Sequence, residues 1–151
     1  MEISIAFICI GNSCRSQMAE GFAKHYLSEK NFKEKHKINI YSAGTFPALK
    51  ISPDAITVMQ EKGIDISKQY PKTLDDIPQE IDILITMGCG VECPYLSSKH
   101  RIDWGIDDPV GLPIELFRKI SDTIENKVLN LVDTIKSSYS LQDVINKLSK
   151  A

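Results

Sequence analysis

Cys9 and Arg15 stand with five residues between them in the run Cys9-Ile10-Gly11-Asn12-Ser13-Cys14-Arg15-Ser16. A thiol and a guanidinium at this spacing can hold a tetrahedral oxyanion over a sulfur nucleophile. Arg15 offers a planar fork suited to two oxygens of a phosphate-like group. Gly11 lets the backbone approach such a ligand closely and take angles that other residues resist. If a helix begins at the end of the run, its first N–H groups lack intrahelical partners and point back into the turn. With the positive end of the helix dipole they favour an anion, and the same field favours the thiolate form of Cys9. The hydroxyl of Ser13 or Ser16 could donate to that sulfur as well. Taken singly, Cys9 reads as a small buried residue and Arg15 as a solvated one. The whole run, set between a strand pattern and a helix pattern, reads as a site.

Those flanking patterns are clear. Ile3–Ile8 is a continuous apolar run of the length of a buried parallel strand. From Ser16 to about Glu29, Met18, Phe22 and Tyr26 recur with Ala19, Ala23 and Leu27 at helical spacing. A charged connector, Lys30–Lys37, is expected to be solvated, and Asn39–Ala43 reads as a second strand ended by Gly44. Ser52 or Pro53 opens a second helix that Gly63 ends. Ile64–Leu74 is irregular, Ile81–Thr86 is a third buried strand, and Gly88–Pro94 is a loop. A short strand is predicted near Arg101–Trp104, then a turn-rich loop at Asp107-Asp108-Pro109-Val110-Gly111. Phe117, Ile120, Ile124, Val128, Leu131 and Ile135 mark a long amphipathic helix, and Leu141, Val144, Ile145 and Leu148 a short one packed on the core. Strands alternating with helices predict an α/β fold: one domain with a four-stranded parallel sheet, helices on both faces and right-handed crossovers. Residues 1–137 form its body and 138–151 a helical extension. Ligands in such sheets bind beyond the carboxyl ends of the strands, where the Cys9, Cys89 and Asp108 loops would meet.

With 151 residues, 42% of them hydrophobic, the chain suits one domain with a full core. A formal net charge of -2 without a basic run speaks against a nucleic-acid or membrane-surface role. No stretch approaches the ~20 apolar residues of a membrane span, and the N-terminus has no signal-peptide pattern. A cytoplasmic monomer is expected.

In that compartment the four cysteines, Cys9, Cys14, Cys89 and Cys93, are not expected to form structural disulfides. Neither their spacing nor that of His25, His36 and His100 is a usual zinc pattern, so no metal is predicted. Cys89 and Cys93 lie in Met87-Gly88-Cys89-Gly90-Val91-Glu92-Cys93-Pro94, after the third strand. Two glycines around Cys89 make a flexible segment, and the three-residue spacing permits a local disulfide. They could be incidental loop cysteines. Beside an oxyanion loop with a nucleophilic thiol, a redox relay explains them better.

At this point the chain resembles the thioredoxin-coupled arsenate reductases, which share the low-molecular-weight protein tyrosine phosphatase fold. The resemblance rests on Cys9-Ile-Gly-Asn-Ser-Cys-Arg-Ser-Gln-Met-Ala-Glu20, Tyr41-Ser-Ala-Gly44, Asp65-Ile-Ser67, Cys89 with Cys93-Pro94, and Trp104-Gly-Ile-Asp-Asp-Pro109. It implies that Cys9 attacks arsenate held by the amides of Ile10, Gly11, Asn12, Ser13, Cys14, Arg15 and Ser16 and by the Arg15 side chain. Phosphate or sulfate would compete. Cys89 would then attack Cys9, releasing arsenite, and Cys93 would attack Cys89, leaving a Cys89–Cys93 disulfide for thioredoxin. Each transfer is a thiolate attack on sulfur. Asp108 matches the phosphatase general acid, with Asp107 the neighbouring alternative. Ser16 matches the hydroxyl that tunes the nucleophile, and Cys14 a scaffold cysteine. Some family members bind potassium beside the loop. Asn12, Glu20 and Ser42 match part of that site, while Tyr70 and Lys72 occupy two further ligand positions. An ammonium at Lys72 in the cation's place predicts no potassium requirement, and no other bound cofactor is implied.

The nearest rival is a phosphatase acting on phosphotyrosine or a small phosphoester, through the same Cys9, Arg15 and Asp108. Val110-Gly111 after Asp108-Pro109 lacks the aromatic residues often found there in such phosphatases, and Cys89 and Cys93 would be idle. A non-catalytic oxyanion sensor would need neither acid nor cysteine pair. A phosphocysteine carrier would not need Arg15.

Overall fold

The computed structural model describes residues 1–27, 37–88 and 96–150. Strands β1 (Glu2–Cys9), β2 (Lys37–Gly44), β3 (Glu80–Thr86) and β4 (Ser97–Asp103) form one sheet in the order β2-β1-β3-β4. All three pairings are parallel, with Cys9 opposite Gly44 and Ile8 opposite Thr86. The α-helices are α1 (Arg15–Leu27), α2 (Pro53–Glu61), α3 (Ile114–Lys136) and α4 (Leu141–Ser149), with a 3-10 helix at Leu74–Asp76. The predicted single four-stranded parallel sheet is what forms. The connector from residue 30 to 36, the expected continuation of α1 to Glu29, and the loop carrying Cys89 and Cys93 lie outside the described residues.

Strands β1 and β3 are central and buried on both faces, which is why their sequences are nearly unbroken apolar runs. From β1, Ile3, Ile5 and Phe7 enter a large core with Met18 and Phe22 of α1, Met59 of α2 and Phe117, Ile124 and Val128 of α3. Ala6 and Ile8 face the other side, against Leu74, Ile77 and Leu96. Both faces thus carry helical cover, unequally: among the described residues the α-helices share one face, and the 3-10 helix closes the other.

Strand β4 is longer than its sequence suggested. Ser97–Asp103 alternates exposed and half-buried residues and contains a single aliphatic side chain, Ile102. As an edge strand it needs pairing on one side only, so no apolar run marks its start. The extension beyond Ser137 forms α4, which opens at Ser140, whose side chain accepts from the Asp143 amide. Val144 of α4 is fully buried in the large core.

Neighbouring side chains approach α1 closely at Gly21. A Cβ there would lie 2.6 Å from Cγ2 of Ile66 and 3.0 Å from Cε of Met59. Met59 is flexible and can give way, but Ile66 is fully buried. Gly21→Ala is expected to cost about 1–3 kcal/mol, the usual cost of overpacking a filled core. A urea midpoint unchanged from the parent protein would show that this contact is looser than described.

Candidate active site

The loop between β1 and α1 closes around Cys9. It does so because its carbonyls are engaged from outside. The amides of Thr45, Phe46, Ala48 and Ser52 donate to the carbonyls of Cys9, Ile10, Gly11 and Ser13 at 3.2, 2.8, 2.8 and 2.8 Å. Gln17 Nε2 donates to the Asn12 carbonyl at 3.0 Å. In a planar trans peptide the N–H points opposite the C=O. Five consecutive carbonyls drawn outward therefore leave the amides of residues 10–14 facing the concave side. Helix α1 begins at Arg15, one residue before the expected start, with the Met18 amide donating to the Cys14 carbonyl at 2.9 Å. The loop and the helix end thus supply the anion-favouring amides that the sequence predicts.

The left-handed residue of the loop is Asn12, with φ 48°, where Gly11 had been the expected place for unusual backbone angles. Asparagine tolerates this region because its short side chain finds local hydrogen bonds. The glycine that the loop requires lies elsewhere. A Cβ on Gly44, at the end of β2, would sit 2.4 Å from the Ile10 carbonyl oxygen and 2.9 Å from the Asn12 nitrogen. Only glycine lets β2 pass so close to the loop.

Around the sulfur, Ser16 is the hydroxyl partner, not Ser13: Cys9 Sγ and Ser16 Oγ are 2.9 Å apart. The Asn12 amide donates to Cys9 Sγ at 3.2 Å. Asn12 Nδ2 donates to Ser16 Oγ at 2.7 Å and to Ser42 Oγ at 3.0 Å. Ser42 in turn donates to the buried carboxylate of Glu20. Cys14 is also buried, and there burial above all, aided by the negative charge of Asp108, pushes its thiol far above the ordinary range. That environment suits the scaffold role expected of Cys14, whereas Cys9 is the sulfur surrounded by donors.

Arg15 is only 2% exposed. Its Nη1 donates to the carbonyls of Met87 at 3.2 Å and Ile106 at 2.7 Å. The strand ends bring those carbonyls within reach: the Met87 amide donates to Ile8, and the Ile106 amide to Met87. Arg15 Nη2 lies 3.9 Å from Asp108 Oδ2, whose side chain is half exposed. Asp108 Oδ1 accepts from the Val110 amide at 3.1 Å, which fixes the carboxyl at the mouth of the loop. Of the two neighbouring aspartates, Asp108 is the one seen beside Arg15. Cys89 and Cys93 fall outside the described residues, and among those described no group of three or more His, Cys, Asp or Glu could hold a metal. No helix of the described residues is long and apolar enough to cross a membrane.

Sequence reading missed Gln17, Gln69 and the backbone of Lys72. Gln17 Nε2 also donates to Asn12 Oδ1 at 3.0 Å and to the Tyr70 carbonyl at 2.9 Å. Gln69 Nε2 donates to Gln17 Oε1 at 2.7 Å, and the Lys72 amide to Asn12 Oδ1 at 2.8 Å. The one signal for Gln17 was a polar side chain in the first turn of an otherwise apolar-facing helix.

This geometry has known counterparts. Residues 4–141 match the family model described as low molecular weight phosphotyrosine protein phosphatase. An arsenate reductase of Halalkalibacterium halodurans is 40% identical over 143 residues, covering 87% of this chain and 96% of that protein. A solved arsenate reductase in the phosphate binding state superposes with a TM-score of 0.75 at 36% identity, covering 88% of this chain and 98% of that one. The thioredoxin-dependent arsenate reductase of Corynebacterium glutamicum gives 0.72 at 33% identity, covering 91% of this chain and 63% of that one. The chain belongs to the low molecular weight phosphotyrosine protein phosphatase family and, within it, to the arsenate reductases.

Proposed function

We propose that this protein reduces arsenate to arsenite through a Cys9, Cys89, Cys93 relay reset by thioredoxin. The observation that carries the reading is the Arg15 anchor at Met87: the carbonyl that fixes the guanidinium stands two residues before Cys89. The chain thus carries a second thiol close in sequence to the oxyanion loop's arginine contact.

The chemistry balances with the groups present. Cys9 attacks arsenic(V) held by the loop amides and Arg15, and an arsenate oxygen leaves as water, protonated by Asp108. Cys89 as thiolate attacks Cys9 Sγ. The S–As bond breaks, its electron pair goes to arsenic, and arsenite departs with a Cys9–Cys89 disulfide left behind. Cys93 attacks Cys89 and frees the Cys9 thiolate, and two electrons from a dithiol reductant open the final Cys89–Cys93 bond. The relative described as thioredoxin-dependent supports thioredoxin as that reductant. Hydrolysis of phosphoesters uses the same Cys9, Arg15 and Asp108, so slow phosphatase activity accompanies this site.

The surroundings of Glu20 support the reading that no potassium is required here. Lys72 Nζ donates to the Tyr70 carbonyl at 2.9 Å and lies 3.7 Å from Glu20 Oε1. Burial pulls this ammonium below the ordinary lysine range, and the Glu20 carboxylate pulls it back up. A bound cation at Glu20 would meet this ammonium.

Two outcomes are expected. One turnover of arsenate by fully reduced protein should yield one arsenite and a Cys89–Cys93 disulfide by mass mapping, and Cys93→Ser should stop at Cys9–Cys89. Arsenite formation unaffected by Cys89→Ser, with no small thiol added, would sink the relay. At constant ionic strength, exchanging sodium for potassium should leave turnover unchanged, whereas several-fold activation specific to potassium would show that Lys72 does not stand in for the cation.

A further inference from the structure

Gln17 lies outside the Cys9–Ser16 loop, one residue into α1 from Ser16, and is fully buried. Its amide orientation follows from two acceptors of fixed identity. The carbonyls of Asn12 and Tyr70 can only accept, so the NH2 group faces them, at 3.0 and 2.9 Å. The oxygen of the same amide then faces Gln69 Nε2, at 2.7 Å. Gln69 donates a second time, to the Gln17 backbone carbonyl at 3.1 Å. The two glutamines therefore join the loop, the first turn of α1 and the 69–72 segment.

What this clamp holds is Asn12. The Asn12 carbonyl is the one among residues 9–13 that the 45–52 segment does not engage, and Gln17 takes it instead. Holding that peptide outward fixes the C-terminal side of the left-handed Asn12, whereas the Asn12 N–H that meets Cys9 Sγ belongs to the preceding peptide, whose Gly11 carbonyl Ala48 holds. Gln17 and the Lys72 amide both donate to Asn12 Oδ1, so the opposite side of the Asn12 amide must present Nδ2 to Ser16. With that hydrogen bond accepted, the Ser16 proton is left for Cys9, 2.9 Å away, since a thiolate can only accept.

We propose that Gln17, locked by Gln69, is a positioning residue that orients the Asn12 side chain and thereby aims the Ser16 hydroxyl at the Cys9 sulfur. It touches neither the sulfur nor an oxyanion bound above it. The inference rests on Cys9 being the nucleophile of the proposed function, and needs neither arsenate nor the other two relay cysteines.

The test is the rate of Cys9 alkylation by iodoacetamide in reduced protein at neutral pH, mapped by mass, with and without inorganic phosphate as protectant. Gln17→Met removes a donor from Asn12 Oδ1 and frees the Asn12 side-chain amide to turn away from Ser16, which should slow alkylation about tenfold and weaken phosphate protection by about as much. Gln69→Met, at a half-buried side chain, should slow it about two- to threefold. In an Asn12→Ala background either substitution should change the rate by less than about twofold, because sites that act through one another are not additive. A packing role for Gln17 predicts the same fold-loss in both backgrounds, and that result overturns the proposal, as do unchanged rates in the folded single variants. Should Gln17→Met not fold, Gln69→Met in the two backgrounds decides by the same criteria. Arsenate turnover failing while these alkylation results hold would count against the relay and leave the clamp standing.

Discussion

Everything at the carboxyl end of the sheet depends on where the carbonyls of residues 9–13 point. An oxyanion site needs N–H groups converging on one spot, and each converging N–H sends the carbonyl of the preceding peptide the other way. Cys9 and Asn12 are buried, and leaving a buried carbonyl unpaired would cost roughly 1–3 kcal/mol. The segment 45–52 and Gln17 engage all five. The loop after β2 is thus a structural requirement of the loop after β1, and Gly44 is the point where the two backbones come closest.

The same logic governs Arg15. A buried guanidinium is costly unless its N–H groups are paired. The Met87 and Ile106 carbonyls pair with it, and each follows the end of a sheet strand, β3 and β4. Burial of the arginine is therefore possible only when β1, β3 and β4 end in register. This couples formation of the site to formation of the sheet.

The chemistry was legible from Cys9, Arg15 and their flanking patterns because those residues are contiguous and their spacing has few other uses. β1 and β3 were legible because central parallel strands are apolar on both faces. What could not be read comes from residues whose partners are distant in sequence. Gly44 looks like any strand-ending glycine until Ile10 is placed against it. Gly11 is intrinsically the more able of the two to turn left-handed, and the outer hydrogen bonds nonetheless place that conformation at Asn12. Gln69 and the Lys72 amide donate to Gln17 and to Asn12 across more than fifty residues, and no local pattern encodes that. The span of β4 was missed because an edge strand with one solvated side needs no apolar run.

Two thiols share this loop, and their environments give them different work. Cys14 lies under the loop, where burial and the facing carboxylate of Asp108 keep it a neutral thiol. Cys9 sits at the strand end, with the Asn12 amide and the Ser16 hydroxyl directed at its sulfur. Were both thiols ionised, two negative charges would compete for the single guanidinium and for the amides that an incoming anion requires. Keeping Cys14 protonated leaves that positive field to Cys9 and an incoming anion. Both thiols are buried, so the difference between two chemically identical side chains five positions apart follows from the donors placed around Cys9 and the carboxylate placed near Cys14.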